Sequence, residues 1–401
     1  MPRLSSRPLP TRQSSSTSHV SRPSAPLRTG AAVSNQSVLD APLLERIRGR
    51  ASGYDEDNRF FQEDLDELRA AGYLRPRPLD QMVADQRLLA AHAPATALGL
   101  GMHFTWMGVA QTLLAEGDES LQFVLDDAEA GELFAFGVSE KGNDRVLTDS
   151  VTRVEKVDGG YRYTGEKIFT SLSPAWTRLS VLGRMDDQIV HGFITRDTEG
   201  YTIHDDWDTL GMRATQSHTT VLDGARVDQS RLARVVPVGD LTDPFIGAIF
   251  KNFLLLVSAV YVGIAERALE LAVQAVGSRT SMGRDGASYA TDPDIRWQIA
   301  DMAMAVDALD APLRTLADDV VAQAPHGPKW FRLLSGVKHR SVETARTVVD
   351  ASLRLHGGRG FKRSSEISRL QRDVLAGVYH PSDTEAVHHT VAFDLLGSEA
   401  P

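Results

Sequence analysis

Apolar residues recur three and four positions apart over the first third of the chain, the period of a helix with one buried face. Leu43, Leu44, Ile47, Phe60, Phe61, Leu65, Leu68 and Tyr73 carry this pattern until Pro76 and Pro78 interrupt it. Met82–Ala91, Ala97–Leu114 and Leu121–Ala130 are predicted as further helices, the second ended near Gly117. From about residue 131 the texture changes. Val151, Thr152, Val154 and Val157 supply β-branched residues, Gly159-Gly160 reads as a tight turn, and Tyr161–Phe169 returns as a strand. Leu179–Gly183, Ile189–Thr195 and Thr219–Leu222 are predicted as more strands, separated by turn sequences such as Asp197-Thr198-Glu199-Gly200. This middle region reads as a largely antiparallel barrel or sandwich. From about residue 244 the helical period resumes in Phe253–Val276, Asp294–Val321, Trp330–Leu353 and Val387–Leu396, which implies a bundle. The predicted order is a tail (1–36), a helical domain (37–130), a β-domain (131–243) and a helical bundle (244–401), an α+β chain.

Composition narrows the function classes. The 401 residues carry 43 basic and 53 acidic side chains, a formal charge of −10. A nucleic-acid binder needs a basic footprint, so that class is not expected. The absence of cysteine removes disulfides, zinc–thiolate sites and a cysteine nucleophile. No metal site is expected, because the histidines near the C-terminus lack a companion ligand pattern. The most apolar run, Phe253–Ala265, is too short to span a membrane and fits a buried core helix. Residues 1–36 hold arginine, serine and proline but no acid, and read as a disordered tail with a targeting role as the alternative. They lack the apolar stretch of a secretory signal, so a cytoplasmic protein is expected.

Four motifs stand in order along this frame. They are Gly137-Val138-Ser139-Glu140-Lys141-Gly142-Asn143-Asp144, Gly165-Glu166-Lys167-Ile168-Phe169-Thr170-Ser171, Leu210-Gly211-Met212-Arg213-Ala214-Thr215-Gln216-Ser217, and Leu355-His356-Gly357-Gly358-Arg359-Gly360-Phe361 followed by Arg372-Asp373. Together, over about residues 38–397, they resemble the acyl-CoA dehydrogenase superfamily, which also holds flavin-dependent monooxygenases and N-hydroxylases. The resemblance implies an N-terminal helical domain, a middle β-domain and a C-terminal four-helix bundle, with a flavin ring between sheet and bundle. It also implies a homodimer or homotetramer.

Site residues follow from the same resemblance. Ser139, Phe169 and Ser171 are expected at the flavin ring, with Phe169 on its face and Ser171 donating toward its N5 side. Arg279, in Arg279-Thr280-Ser281-Met282-Gly283, and the pair Gly357-Gly358 are expected at the diphosphate of FAD; FMN or a transiently bound reduced flavin is the alternative. His103, Phe104 and Trp106, on an early helix, and Arg213 are expected to face the substrate. For each, a structural role in the core or in a surface ion pair is the competing reading.

The base of acyl-CoA dehydrogenation is missing from both places where the family keeps it. One place falls at His380 or Pro381, the other at Phe253 or Leu254. His380 is the only attractive replacement, because a neutral imidazole accepts or donates a proton near neutrality. The monooxygenase branch has a histidine in this part of the chain. Two reactions therefore stay open: a monooxygenase fed reduced flavin by a reductase and acting on a small aromatic, sulfur or amine substrate, or a dehydrogenase of acyl thioesters with an unusual base and an electron-transfer flavoprotein as partner.

Overall fold

The structure is a computed structural model that describes residues 37–397. Five helices come first: α1 (Ala41–Asp57), α2 (Gln62–Ala70), α3 (Leu79–Ala90), α4 (Pro94–Ala115) and α5 (Gln122–Glu129). Asp40 starts α1 by accepting the Leu43 N–H at 2.8 Å, the standard way to satisfy an orphan donor at a helix start. The apolar stripe read from the sequence, from Leu43 through Tyr73, is buried as one surface.

The middle of the chain forms an eight-stranded sheet. Its strands are β1 (Phe134–Gly137), β2 (Arg153–Val157), β3 (Gly160–Lys167), β4 (Arg178–Met185), β5 (Gln188–Thr195), β6 (Tyr201–Ile203), β7 (Thr220–Asp228) and β8 (Leu232–Pro237). The order is β6-β7-β3-β2-β4-β5-β8, with β1 added beside β4. Most pairs are antiparallel, as expected, but β1 runs parallel to β4 from Phe134 opposite Arg178 to Gly137 opposite Val181. A four-residue strand buried on every side has no alternation to betray it. β1 matters because it delivers Ser139 to the edge of the sheet.

Five helices close the described chain: α6 (Pro244–Gly277), α7 (Pro293–Val321), α8 (Lys329–His356), α9 (Glu366–Asp373) and α10 (Thr384–Leu396). α6 begins nine residues before the predicted Phe253. Asp243 caps it by accepting from the Phe245 N–H at 2.8 Å, and Pro244 stands in the first turn, a start signal independent of apolar period. α6 is long and apolar enough to cross a membrane, yet 83% of its most apolar window is buried within the fold. It is the central core helix, packed on α3, α4, α7 and α8.

Three histidines are held neutral by the fold. Burial pushes His103 down to about 4 and His191 and His380 down to about 3. In an unfolded chain these rings protonate near about 6.5, so unfolding takes up three protons as the pH falls below that value. Asp64, raised to about 6 by burial against its bonds from Arg50, Thr96 and Tyr54, works in the opposite sense and returns about one. Asp85 and Asp373, also raised by burial, add to that return at the acid end. Three rings against one carboxyl leave a net uptake on unfolding, so stability falls as the pH drops from about 6 to 4.5. Differential scanning calorimetry across that range should show the melting temperature falling steeply; a flat profile would show the rings protonating inside the folded chain.

Candidate active site

A cleft of about 560 Å³ opens between the sheet and the bundle. Ser139, Phe169, Ser171 and Ser217 border it from the sheet side, Phe253 and Val257 from α6, and Tyr379, His380 and Pro381 from the segment after α9. The inner wall of Leu98, Met102, Phe136, Val138, Phe253 and Val257 is apolar. No aspartate or glutamate is among the residues lining this cleft.

The sheet-side wall is held by a buried ion pair. Lys167, at the end of β3, gives its ammonium to Glu140 at 2.5 Å and to the Leu182 carbonyl at 2.6 Å, and both side chains are fully buried. Glu140 also accepts from Ser150 Oγ, Asn143 Nδ2 and the Val151 and Thr152 N–H groups. Burial pushes the Glu140 carboxyl up, but the Lys167 charge and these donors outweigh it and hold the group well below the usual carboxylate range. The pair ties the Ser139 loop to β3, and the Ile168 N–H adds a bond to the Ser139 carbonyl at 3.0 Å.

Just past Lys167 the chain turns sharply. Phe169 and Leu172 both take positive φ, 56° and 68°. That conformation is strained for side chains with a Cβ and marks sites where shape serves a ligand. Phe169 is 56% exposed despite being a large aromatic, and it meets Trp207 edge-on with ring centres 6.0 Å apart. Thr170 leaves its buried hydroxyl without a partner.

Ser171 heads a short hydroxyl chain. Its Oγ lies 2.8 Å from Ser217 Oγ, which lies 2.7 Å from Thr215 Oγ1, which donates to the Met212 carbonyl at 2.9 Å. Each hydroxyl owns one proton. With the Thr215 proton on Met212, the Ser217 proton goes to Thr215 and the Ser171 proton to Ser217. In that arrangement Ser171 offers the cleft an acceptor; with the chain reversed, Thr215 donating to Ser217 and Ser217 to Ser171, it offers a donor.

On the bundle side, His380 is half-buried. Its Nδ1 lies 3.1 Å from the Tyr261 hydroxyl of α6. The backbone around it is gripped by Lys338 of α8, whose buried ammonium donates to the carbonyls of Gly377, His380 and Ser382 at 2.9–3.0 Å. Burial pulls the Lys338 ammonium down to about 8, which leaves it charged at neutral pH. Burial, then that charge, keeps His380 unprotonated.

Several expected site residues stand elsewhere. His103 is a core brace: Nε2 lies 2.8 Å from the Leu74 carbonyl, and Nδ1 accepts from the Phe134 N–H at 3.2 Å. Phe104 is buried edge-on to Tyr73, and Trp106 is buried among Phe136, Phe193 and Phe245. None of the three lines the cleft. α4 is buried on nearly all sides, so its period does not say which face meets a ligand; Leu98 and Met102, one turn apart, do. Arg213 also turns away, donating to the Asp55 and Thr209 carbonyls and pairing with Asp208. Arg372 grips Asp55 through both guanidinium nitrogens, and Asp373 accepts from the Met212 N–H. These contacts tie the Leu210–Ser217 segment to α1 and α9.

Arg279, Gly357 and Gly358 lie together but outside the cleft lining. Arg279 donates to the Leu355 carbonyl at 2.6 Å and stacks on the Tyr289 ring. Gly357 has φ +59° beside the Arg279 guanidinium, a conformation that favours glycine. Met282 and Phe361, close in sequence to Arg279 and the glycine pair, are 97% and 90% exposed. Among the described residues, no cluster of three or more metal-ligating side chains occurs.

Sequence reasoning passed over Trp207, Tyr261, Lys338 and the Glu140–Lys167 pair. One signal was present: Lys338 stands between Leu334 and Val342 on the apolar stripe of α8, where a charge needs a buried partner.

The chain is similar to known proteins over nearly the whole described length. The profile of the family described as "Acyl-CoA dehydrogenase, C-terminal domain" matches residues 255–383. A putative acyl-CoA dehydrogenase of Bacillus subtilis (strain 168), YdbM, is 28% identical, covering 89% of this chain and 95% of its own. The structure of KijD3 in complex with FMN and an amino-keto sugar nucleotide superposes with a TM-score of 0.78 at 23% identity, over 90% of this chain and 92% of that one. TdsC of Paenibacillus sp. A11-2, in complex with FMN and indole, gives 0.77 at 20% identity, over 90% and 96%. The two structures share the fold, and the family profile over residues 255–383 and the bacterial relative join the four motifs in a similarity to the acyl-CoA dehydrogenase superfamily.

Proposed function

We propose that the chain is a monooxygenase that takes a reduced flavin from a separate reductase and oxygenates a small apolar aromatic or heteroaromatic substrate. One observation carries this reading: among the described residues that line the cleft there is no carboxylate, and the imidazole there, His380, is neutral. Desaturating an acyl thioester needs a base for the α-proton; nothing lining the cleft fills that role in the carboxylate form the family uses. Oxygenation needs no such base.

The cleft suits a flavin ring. It has an exposed aromatic face in Phe169, a hydroxyl at Ser171 that can meet a ring edge, and an apolar inner wall. Bound there in reduced form, flavin supplies two electrons, so substrate, O2 and reduced flavin give oxygenated substrate, water and oxidised flavin. Arg279, Gly357 and Gly358 would hold the phosphate end of FMN or FAD, and their position outside this cleft suits a neighbouring subunit's cofactor in a homo-oligomer. The apolar inner wall favours an aromatic ring over an amino sugar or a charged thioester handle. TdsC, with indole beside FMN, is the nearer parallel in that respect.

The test sets two reactions side by side on the full chain. Chemically reduced FMN or FAD, oxygen and indole should yield an oxygenated product; an acyl-CoA added without oxygen should leave oxidised flavin unbleached. Rapid bleaching by the acyl-CoA overturns the proposal. Phe169→Ala should weaken flavin binding about tenfold, the loss of one aromatic contact and its buried area. Fluorescence titration of the flavin checks it; unchanged affinity would remove Phe169 from the ring site.

A further inference from the structure

We propose that Tyr261 is a positioning residue that fixes His380 in the tautomer with its proton on Nε2, so that the imidazole meets the cleft as a hydrogen-bond donor. The inference rests on the reading of His380 as a cleft group, and its own test does not need the reaction to occur.

The donors at this contact decide the tautomer. Tyr261 is fully buried in α6. Its hydroxyl has one partner among the described residues, His380 Nδ1 at 3.1 Å. A buried O–H without an acceptor costs about 1–3 kcal/mol. If Nδ1 carried the imidazole proton, it would point at the phenol oxygen, and the phenol proton would have no acceptor. If the phenol donates to Nδ1, nothing buried is left unpaired. Burial drives the phenol well above its ordinary value, so it keeps its proton. A neutral imidazole has one N–H. With Nδ1 accepting, that N–H is on Nε2, which has no partner among the described residues and belongs to a ring that lines the cleft.

The surrounding backbone makes this register hard to escape. Lys338 holds three carbonyls of the segment that bears His380. Ser382, the last of them, has φ 56°. Gly377 lies against the phenol: a Cβ there would stand 2.8 Å from two Tyr261 ring carbons and from Val342. Only glycine lets the ring slide beneath the turn and reach His380. A neutral donor aimed into a cleft with an apolar inner wall stabilises negative charge that develops there, the need of oxygen chemistry and not of α-proton removal.

Nitrogen-15 spectra of the full chain labelled in histidine test the assignment. The His380 signals are those lost in His380→Gln. Wild type should show a protonated Nε2 and an unprotonated Nδ1, and Tyr261→Phe should convert this to a mixture of tautomers. A proton on Nδ1 in wild type, a doubly protonated ring at neutral pH, or an unaltered tautomer in Tyr261→Phe each overturns the proposal. Gly377→Ala, which displaces the ring without removing the hydroxyl, should give the same mixture and serves if Tyr261→Phe fails to fold. In the indole assay Tyr261→Phe should lower product per reduced flavin about tenfold, and by nothing further in a His380→Gln background. If wild type oxygenates nothing, the functional reading fails, while the spectra still decide the role of Tyr261.

Discussion

Lys167→Met should lower the unfolding free energy by about 3–5 kcal/mol, because it strips the counter-charge from a carboxylate that cannot reach water. Glu140 would keep its hydrogen bonds from Ser150, Val151 and Thr152, but would lose the one cation beside it. Adding Glu140→Gln should recover part of the loss, since an amide oxygen still accepts from those donors and carries no charge to desolvate. Flavin affinity should fall in the single variant as well, because the same pair holds the Ser139 loop against β3. Denaturant unfolding of wild type, single and double variants measures all three. A loss under about 1 kcal/mol in the single variant would mean that water reaches Glu140 or that the carboxyl protonates at little cost.

His380→Ala should cut oxygenated indole per reduced flavin consumed by about a hundredfold, the effect of removing one well-placed donor from a charge-developing site. Binding of oxidised flavin should change little, because Phe169, the proposed stacking surface, and the hydroxyl chain at Ser171 stand on the other side of the cleft. His380→Gln should restore part of the yield, as its amide can still donate. Product formation and reduced-flavin consumption are followed together, so that uncoupled consumption shows directly. Equal yields in wild type and His380→Ala would leave His380 as a helix-terminus residue only.

Element order was open to reading in the chain because each class of element needs its own apolar period. The stripe from Leu43 to Tyr73, the β-branched run at Val151–Val157 and the long apolar α6 all follow from burying one face, or every face, of a regular backbone. Boundaries were missed where the signal was not periodic. The Asp243–Pro244 start of α6 is written in capping chemistry, and β1 is buried on all sides and too short to alternate. Ser139, Phe169, Ser171 and His380 were picked out by motif and do border one cleft.

The division of labour at the site is physical. A motif names residue types along a line, and composition can say that no thiol is present or that a carboxylate is missing at a given spacing. Whether His103 or Leu98 of the same helix meets a ligand depends on which neighbours pack on each face, and His103 was taken by Leu74 and Phe134. Whether Arg213 faces a substrate depends on Asp55, 158 residues away. What Ser171 offers the cleft depends on Ser217 and Thr215, 46 and 44 residues further along the chain. The succession of helical, sheet and helical regions, the absence of a glutamate at either usual place and the histidine near one of them were legible along the chain. That this histidine is neutral depends on its tertiary surroundings, because burial first and the Lys338 charge second keep the ring unprotonated, while the Tyr261 hydroxyl beside Nδ1 comes from 119 residues away.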